Sequence, residues 1–253
     1  MPTNTAEGQQ QLEERQAEVT EGLKDVLRAV EAGRKSSSTR LVAVSKYKPA
    51  SDIQIAYGSG QRHFGENYVQ ELVDKAPALP SDIKWHFIGR LQSNKCKTLA
   101  AIPNLWVVET IDSAAKARKM NDAWEGAGHQ HLLNVYIQVN TSEEASKGGA
   151  EQDEVAGMVA EIRDACKSLN LLGLMTIGSV EGSDQRPNPD FLRLVKLRDE
   201  IKAEFGLDLE LSMGMSGDFE HALELGATNV RVGSRIFGSR PPKAAATSAS
   251  TAA

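Results

Sequence analysis

Short apolar runs and stretches of helical spacing alternate eight times between residues 41 and 232. The runs that read as strands are 41–45, 63–65, 85–88, 106–109, 133–139, 171–176, 209–212 and 229–232. Helical stretches fall between them near 51–59, 67–76, 93–101, 113–125, 151–168, 189–205 and 217–225. Strands separated by one helix each pair in parallel, because a parallel crossover needs an intervening element. Eight such units in about 200 residues predict an α/β fold, a (β/α)8 TIM barrel. An open doubly wound sheet is the competing architecture, but it favours a glycine-rich turn after the first strand. The segment "VSKYKP" has no glycine there.

Ahead of the first strand, Leu12, Val19, Leu23, Val26, Leu27 and Val30 recur at helical spacing, with Gly33 as a stop. An extra N-terminal helix is therefore expected. Residues 1–11 and the tail 241–253 are small and polar, and are expected to be disordered. The span 12–240 reads as a single domain. No Pro/Gly/Ser linker divides it, and "SVEGSDQRPNP" suits a long loop.

A chain with 40% hydrophobic and 25% charged residues can bury a sizeable core. Its net charge of -5 argues against a general nucleic-acid binder. No apolar run approaches the roughly 18 residues of a membrane span, and "MPTNTAEGQQQ" lacks the basic and apolar regions of a secretory signal. Cys96 and Cys166 form no metal-spaced cluster. A cytoplasmic protein with reduced thiols is expected.

In such a barrel the site is built at the C-terminal ends of the strands. Those ends read Ser45 and Lys46, Glu66 and Asn67, and His86 with Arg90 close behind. Glu109, Asn140 and Thr176 follow, then Ser212 to Ser216, and Arg231 with Gly233 and Ser234. An apolar strand that ends on Lys46 leaves two readings: the ammonium snorkels to water, or it is held in a pocket. "LSMGMSGDFEHAL" brings Ser212, Gly214, Ser216 and Gly217 ahead of a helix, and "VRVGS" adds Gly233 and Ser234. Turns of this kind after the seventh and eighth strands suit a phosphorylated ligand, because backbone N–H groups there approach an anion closely. Lys46, on the neighbouring first strand, is then either a counter-charge or the amine of a Schiff base. Pyridoxal 5'-phosphate (PLP) carries the aldehyde and the phosphate in one molecule. Arg231 alternates with Gly233 along the strand and can face the ring nitrogen.

Together "AVSKYKP", "FGENYVQEL", "WHFIGRLQSNK", "GLMTIG", "LSMGMSGDFEHAL" and "VRVGSRIFG" resemble the pyridoxal-phosphate homeostasis proteins, relatives of the N-terminal barrel of alanine racemase. The resemblance covers roughly residues 12 to 240 and finds the motifs in order. It implies an internal Schiff base on Lys46 and phosphate contacts from Ser212, Gly214, Ser216, Gly233 and Ser234. It also implies Arg231 at the ring nitrogen, with Asn67 and His86 beside the cofactor. Lys147 occupies a second family lysine position, and family members often carry threonine where Tyr47 stands. The implied role is intracellular vitamin B6 homeostasis, with PLP-dependent apoenzymes as recipients and a monomeric state.

The alternative is a racemase of low activity. An arginine at the ring nitrogen leaves the ring a weak electron sink, and racemization needs a proton donor on each face of the carbanion. Of Tyr47, Tyr57, Tyr68 and Tyr136, only Tyr47 adjoins the lysine. A cofactor-free Schiff-base aldolase is a further class, and it would be colourless.

Overall fold

The structure, a computed structural model, describes residues 6–142, 144 and 148–239. It opens with α1 (Ala6–Gly33), β1 (Arg40–Val44), α2 (Ala50–Gly58), β2 (His63–Glu66) and α3 (Val69–Lys75). There follow β3 (Lys84–Phe87), α4 (Cys96–Ala100), β4 (Leu105–Ile111), α5 (Ala114–Gly126), β5 (Leu133–Gln138) and α6 (Val155–Ala165). The last third holds β6 (Leu169–Met175), α7 (Val180–Ser183), α8 (Pro189–Phe205), β7 (Glu210–Ser212), α9 (Phe219–Glu224), β8 (Asn229–Val232) and α10 (Ser234–Phe237).

Each strand pairs in parallel with the next, and β1 pairs with β8, which closes the expected (β/α)8 barrel. At the closure Val42 stands opposite Arg231 and Ala43 opposite Val232. Lys46 and the two Gly-Ser turns are thereby brought to adjoining strands.

Local chemistry explains several boundaries. α8 starts at Asn188, whose side chain accepts the Asp190 and Phe191 N–H groups, with Pro189 at the first helical position. It stops at Gly206, whose φ of 70° is a left-handed conformation that glycine adopts without penalty. The helix expected at 93–101 is split into a 3-10 turn, Ser93–Lys95, and α4. "SVEGSDQRPNP", expected as loop, holds the short α7.

The expected disorder of residues 1–11 is corrected over 6–11, where α1 has already begun. These residues are mostly Ala, Glu and Gln, good helix formers, and Gln10 donates to Glu14 one turn on. The tail 241–253 lies outside the described residues.

α1 packs along the outside of the barrel against α2, α9, α10 and β1, with Val19, Leu23, Val26 and Val30 all buried. It approaches α10 so closely at Gly22 that an added Cβ would stand 2.6 Å from the Arg235 carbonyl oxygen. Arg15 donates to Asp52 and to the Phe237 carbonyl, which ties α1 to α2 and α10. Among the described residues, no helix is long and apolar enough to cross a membrane.

Candidate functional site

A cavity of about 470 Å³ opens at the C-terminal mouth of the barrel. Its polar wall is Lys46, Lys48, Asn67, Ser216, Arg231 and Ser234, and its apolar wall includes Ile88, Met175, Ile177 and Met215. Gly233 and Gly217 complete the two turns. The turns touch, because the Gly233 N–H donates to the Ser216 hydroxyl at 3.2 Å. At Gly233 a Cβ would meet the Val44 carbonyl oxygen at 3.1 Å, so the last turn presses its bare backbone on β1.

Lys46 sits in the turn just past β1, half-buried. The turn is held by side chains beneath it. Ser45 donates to Glu66 Oε1 at 2.7 Å, and the Tyr47 N–H donates to Glu71 at 2.9 Å. Tyr47 has a φ of 62°, a left-handed conformation uncommon for a residue with a large side chain. Its hydroxyl is hydrogen-bonded to that of Tyr68 at the rim. Glu66 is fully buried, and burial pushes its carboxyl up to about 7 against the pull of Lys75 and Ser45.

Arg231 forms the floor. It donates to the Ser212 hydroxyl at 2.5 Å and to the Thr176 carbonyl at 2.8 Å. Ser212 in turn donates to Glu109 Oε2 at 2.5 Å, and Asn229 donates to both Glu109 oxygens. Burial pushes the Glu109 carboxyl up, but bonds from His86 and Ser212 and the charge of Arg231 outweigh it and leave it below the ordinary range. Burial also lowers His86, and takes His63 down to about 2. Both rings are neutral, which fixes the tautomers. His86 Nδ1–H donates to Glu109, and its Nε2 accepts from His63 Nδ1–H.

The structure thus brings Lys46, Asn67, Ser216, Arg231, Gly233 and Ser234 around one cavity. His86, Ser212 and Gly214, grouped with them in the sequence, are not in its wall. His86 is inside the barrel with both ring nitrogens engaged. Ser212 lies below the floor, between Arg231 and Glu109. Gly214 has a φ of 92°, and a Cβ there would stand 2.6 Å from that of Ala222. Its glycine serves the turn. Glu109 also falls inside the barrel, because β4 runs on to Ile111 and shifts register between Val108 and Ile111. Asn140 and Thr176 line a separate cavity of about 130 Å³. Tyr136 is remote from the mouth, bonded to Arg40 and Glu210, and Tyr57 bonds Asp82. Lys147 lies outside the described residues.

Lys48 was missed by the sequence reading, although "SKYK" repeats lysine two residues on. Its ammonium donates to the Phe237 and Ser239 carbonyls at 2.7 Å each, and burial lowers its pKa.

Fold and cavity together define a (β/α)8 barrel with a cationic, hydroxyl-lined pocket at its mouth. A family profile described as "Alanine racemase, N-terminal domain" matches residues 23–241. The pyridoxal phosphate homeostasis protein of Schizosaccharomyces pombe is 49% identical over 219 residues, which cover 86% of this chain and 91% of that one. Its namesake from Bos taurus is 54% identical over 211 residues, covering 79% and 77%. The solved structure of PipY from Synechococcus elongatus PCC7942 with PLP bound has a TM-score of 0.72 and 31% identity, covering 87% of this chain and 100% of that one. The chain belongs to the pyridoxal phosphate homeostasis protein family, which shares the barrel of the alanine racemase N-terminal domain.

Proposed function

We propose that this chain binds PLP reversibly as a Schiff base on Lys46. In this role it serves vitamin B6 homeostasis by keeping the free aldehyde low and supplying PLP-dependent apoenzymes. The observation that carries the reading is the single cavity walled by Lys46, Asn67, Arg231 and the Ser216 and Gly233–Ser234 turns. Its volume lies in the range of small-ligand sites. Asn67 Oδ1 supports the fit: it is buried without a hydrogen-bond partner, a costly state that a ligand donor would relieve.

Bound PLP supplies an aldehyde, which condenses with a primary amine and releases water, and a phosphate dianion. Lys46 offers the amine, while the Ser216 and Ser234 hydroxyls offer donors to the phosphate. Arg231 serves the ring nitrogen. His86, Ser212 and Gly214 act from behind the cavity, His86 and Ser212 through Glu109 and Arg231, and Gly214 by shaping its turn. Arg231 keeps its proton and so withholds one from the ring, which weakens the electron sink that amino-acid chemistry needs. Holding is favoured over turnover. The buried thiols of Cys96 and Cys166 suit a reducing compartment, and we read the protein as a cytoplasmic monomer.

The test is the visible spectrum of purified protein with PLP, before and after borohydride, with mass mapping of the reduced lysine. A yellow band lost on reduction, with the adduct on Lys46, is expected, and Lys46→Ala should abolish both. An adduct only on another lysine would refute the assignment. D-alanine formed from L-alanine at roughly 1 per second or faster would favour the racemase.

A further inference from the structure

We infer that Lys75 is the positioning residue for Lys46, fixing the peptide planes on both sides of it and so aiming its amine into the cavity. This rests on the Lys46 reading above. The Lys75 side chain is only 11% exposed. An ammonium has three N–H donors, and here each has its acceptor. They are the Ser45 carbonyl at 3.0 Å, Glu66 Oε1 at 2.7 Å and Glu71 Oε2 at 2.5 Å.

The same carboxylates reach back to the turn. Glu66 Oε1 also accepts the Ser45 hydroxyl, and Glu71 Oε2 also accepts the Tyr47 N–H. The Ser45 carbonyl belongs to the peptide before Lys46, and the Tyr47 N–H to the peptide after it. Pinning both planes sets φ and ψ of Lys46, and with them the direction of its Cα–Cβ bond. The left-handed Tyr47 is the kind of costly backbone that persists where its surroundings over-determine it. Burying this ammonium carries a desolvation cost that an apolar residue at position 75 would avoid. The trio's geometric result is a rigid turn under the one lysine that must meet a carbonyl carbon.

The experiment separates aim from overall integrity by using two ligands. PLP reports Schiff-base formation, read as the rate of borohydride-trapped, mass-mapped adduct on Lys46. Pyridoxine 5'-phosphate carries an alcohol in place of the aldehyde and reports the rest of the cavity through its Kd by calorimetry. Lys75→Met and Glu71→Ala should slow the adduct roughly 10- to 100-fold, the scale of a small misplacement of a reacting group. Pyridoxine 5'-phosphate affinity should hold within about twofold. Glu71→Gln keeps an acceptor for the Tyr47 N–H and should restore the rate to within about threefold. The Glu71 side chain is 22% exposed, so this pair decides the matter even where Lys75→Met fails to fold.

Wild-type adduct rates in Glu71→Ala would overturn the inference, as would a parallel loss of pyridoxine 5'-phosphate affinity, which marks a merely structural role. Absence of any Lys46 adduct in the wild-type protein would overturn the earlier reading itself.

Discussion

The Arg231 guanidinium lies 4.0 Å from the Glu109 carboxylate, and the Ser212 hydroxyl joins them, accepting from the arginine and donating to the glutamate. Both charges are buried, at 4% and 0% side-chain exposure. The barrel thus carries its own counter-ion for the arginine at the cavity floor, supplied from β4 on the opposite side of the lumen.

Removing that counter-ion strands a buried charge. Glu109→Gln should destabilise the fold by about 3 to 5 kcal/mol, the usual cost of breaking one partner of a buried pair. Urea denaturation at neutral pH measures it, and a loss below about 1 kcal/mol would show that Ser212 and the Thr176 carbonyl suffice for the guanidinium.

Glu66 makes stability depend on pH with a defined sign. Its folded pKa is raised from an ordinary 4.5 to about 7, so the native state binds this proton more tightly than the unfolded chain. The associated stability is fully present below about pH 4.5 and is lost as pH rises through about 7, a change of about 3 kcal/mol. Glu66→Gln keeps the acceptor for Lys75 and Ser45 but cannot ionise. The stability of the wild type minus that of this variant should therefore fall across that window and level off above it. A difference that stays flat from pH 5 to pH 8 would count against the buried-acid assignment.

The alternation of apolar runs with helical spacing made the barrel legible, because each strand is buried and each helix shows one apolar stripe. Lys46 and the Gly-Ser turns were legible for a related reason: polar residues directly after a buried strand fall at the barrel mouth, while Arg231, inside β8 one residue before its end, reaches the cavity from within the barrel. His86 and Glu109 were misplaced by the same logic. Their strands continue past them, and in a parallel barrel alternate residues of a strand face the lumen rather than the mouth. Whether a polar residue ends a strand or fills its interior depends on strand length and register, and the register shift in β4 gives no local signal. The link from Lys75 to the Lys46 turn was hidden differently. The Glu71–Lys75 pair is visible as one helical turn, but the contact from α3 to the Ser45 carbonyl exists only after β1 and β2 have paired.

The junction of α1 with α10 carries its own test. At Gly22 a Cβ would collide with the Arg235 carbonyl oxygen, a backbone atom that cannot turn aside. Gly22→Ala should cost about 1 to 3 kcal/mol through overpacking, more than the gain in helix propensity returns. At Gly58, in α2, an added Cβ meets nothing within 4 Å. Gly58→Ala is the matched control and should be neutral or stabilising by up to about 1 kcal/mol. Equal effects in thermal denaturation would mean that the two helices are not in the close contact described.

Phosphate recognition can be separated from carbonyl capture by comparing PLP with pyridoxal, which has the aldehyde but no phosphate. Ser216 and Ser234 each carry a hydroxyl at the cavity wall, and Ser216 also accepts the Gly233 N–H that joins the two turns. A hydrogen bond to a charged group contributes about 1.5 to 3 kcal/mol, so Ser216→Ala and Ser234→Ala should each weaken PLP about tenfold or more. Pyridoxal makes neither contact, and its affinity in Ser234→Ala should match the wild type. Ser216→Ala also frees the Gly233 N–H, so part of its effect should appear with pyridoxal too. Titration of the visible band reads both ligands. Equal losses for PLP and pyridoxal in Ser234→Ala would move the phosphate away from the turn after β8, and the orientation proposed for the ligand would have to be reversed.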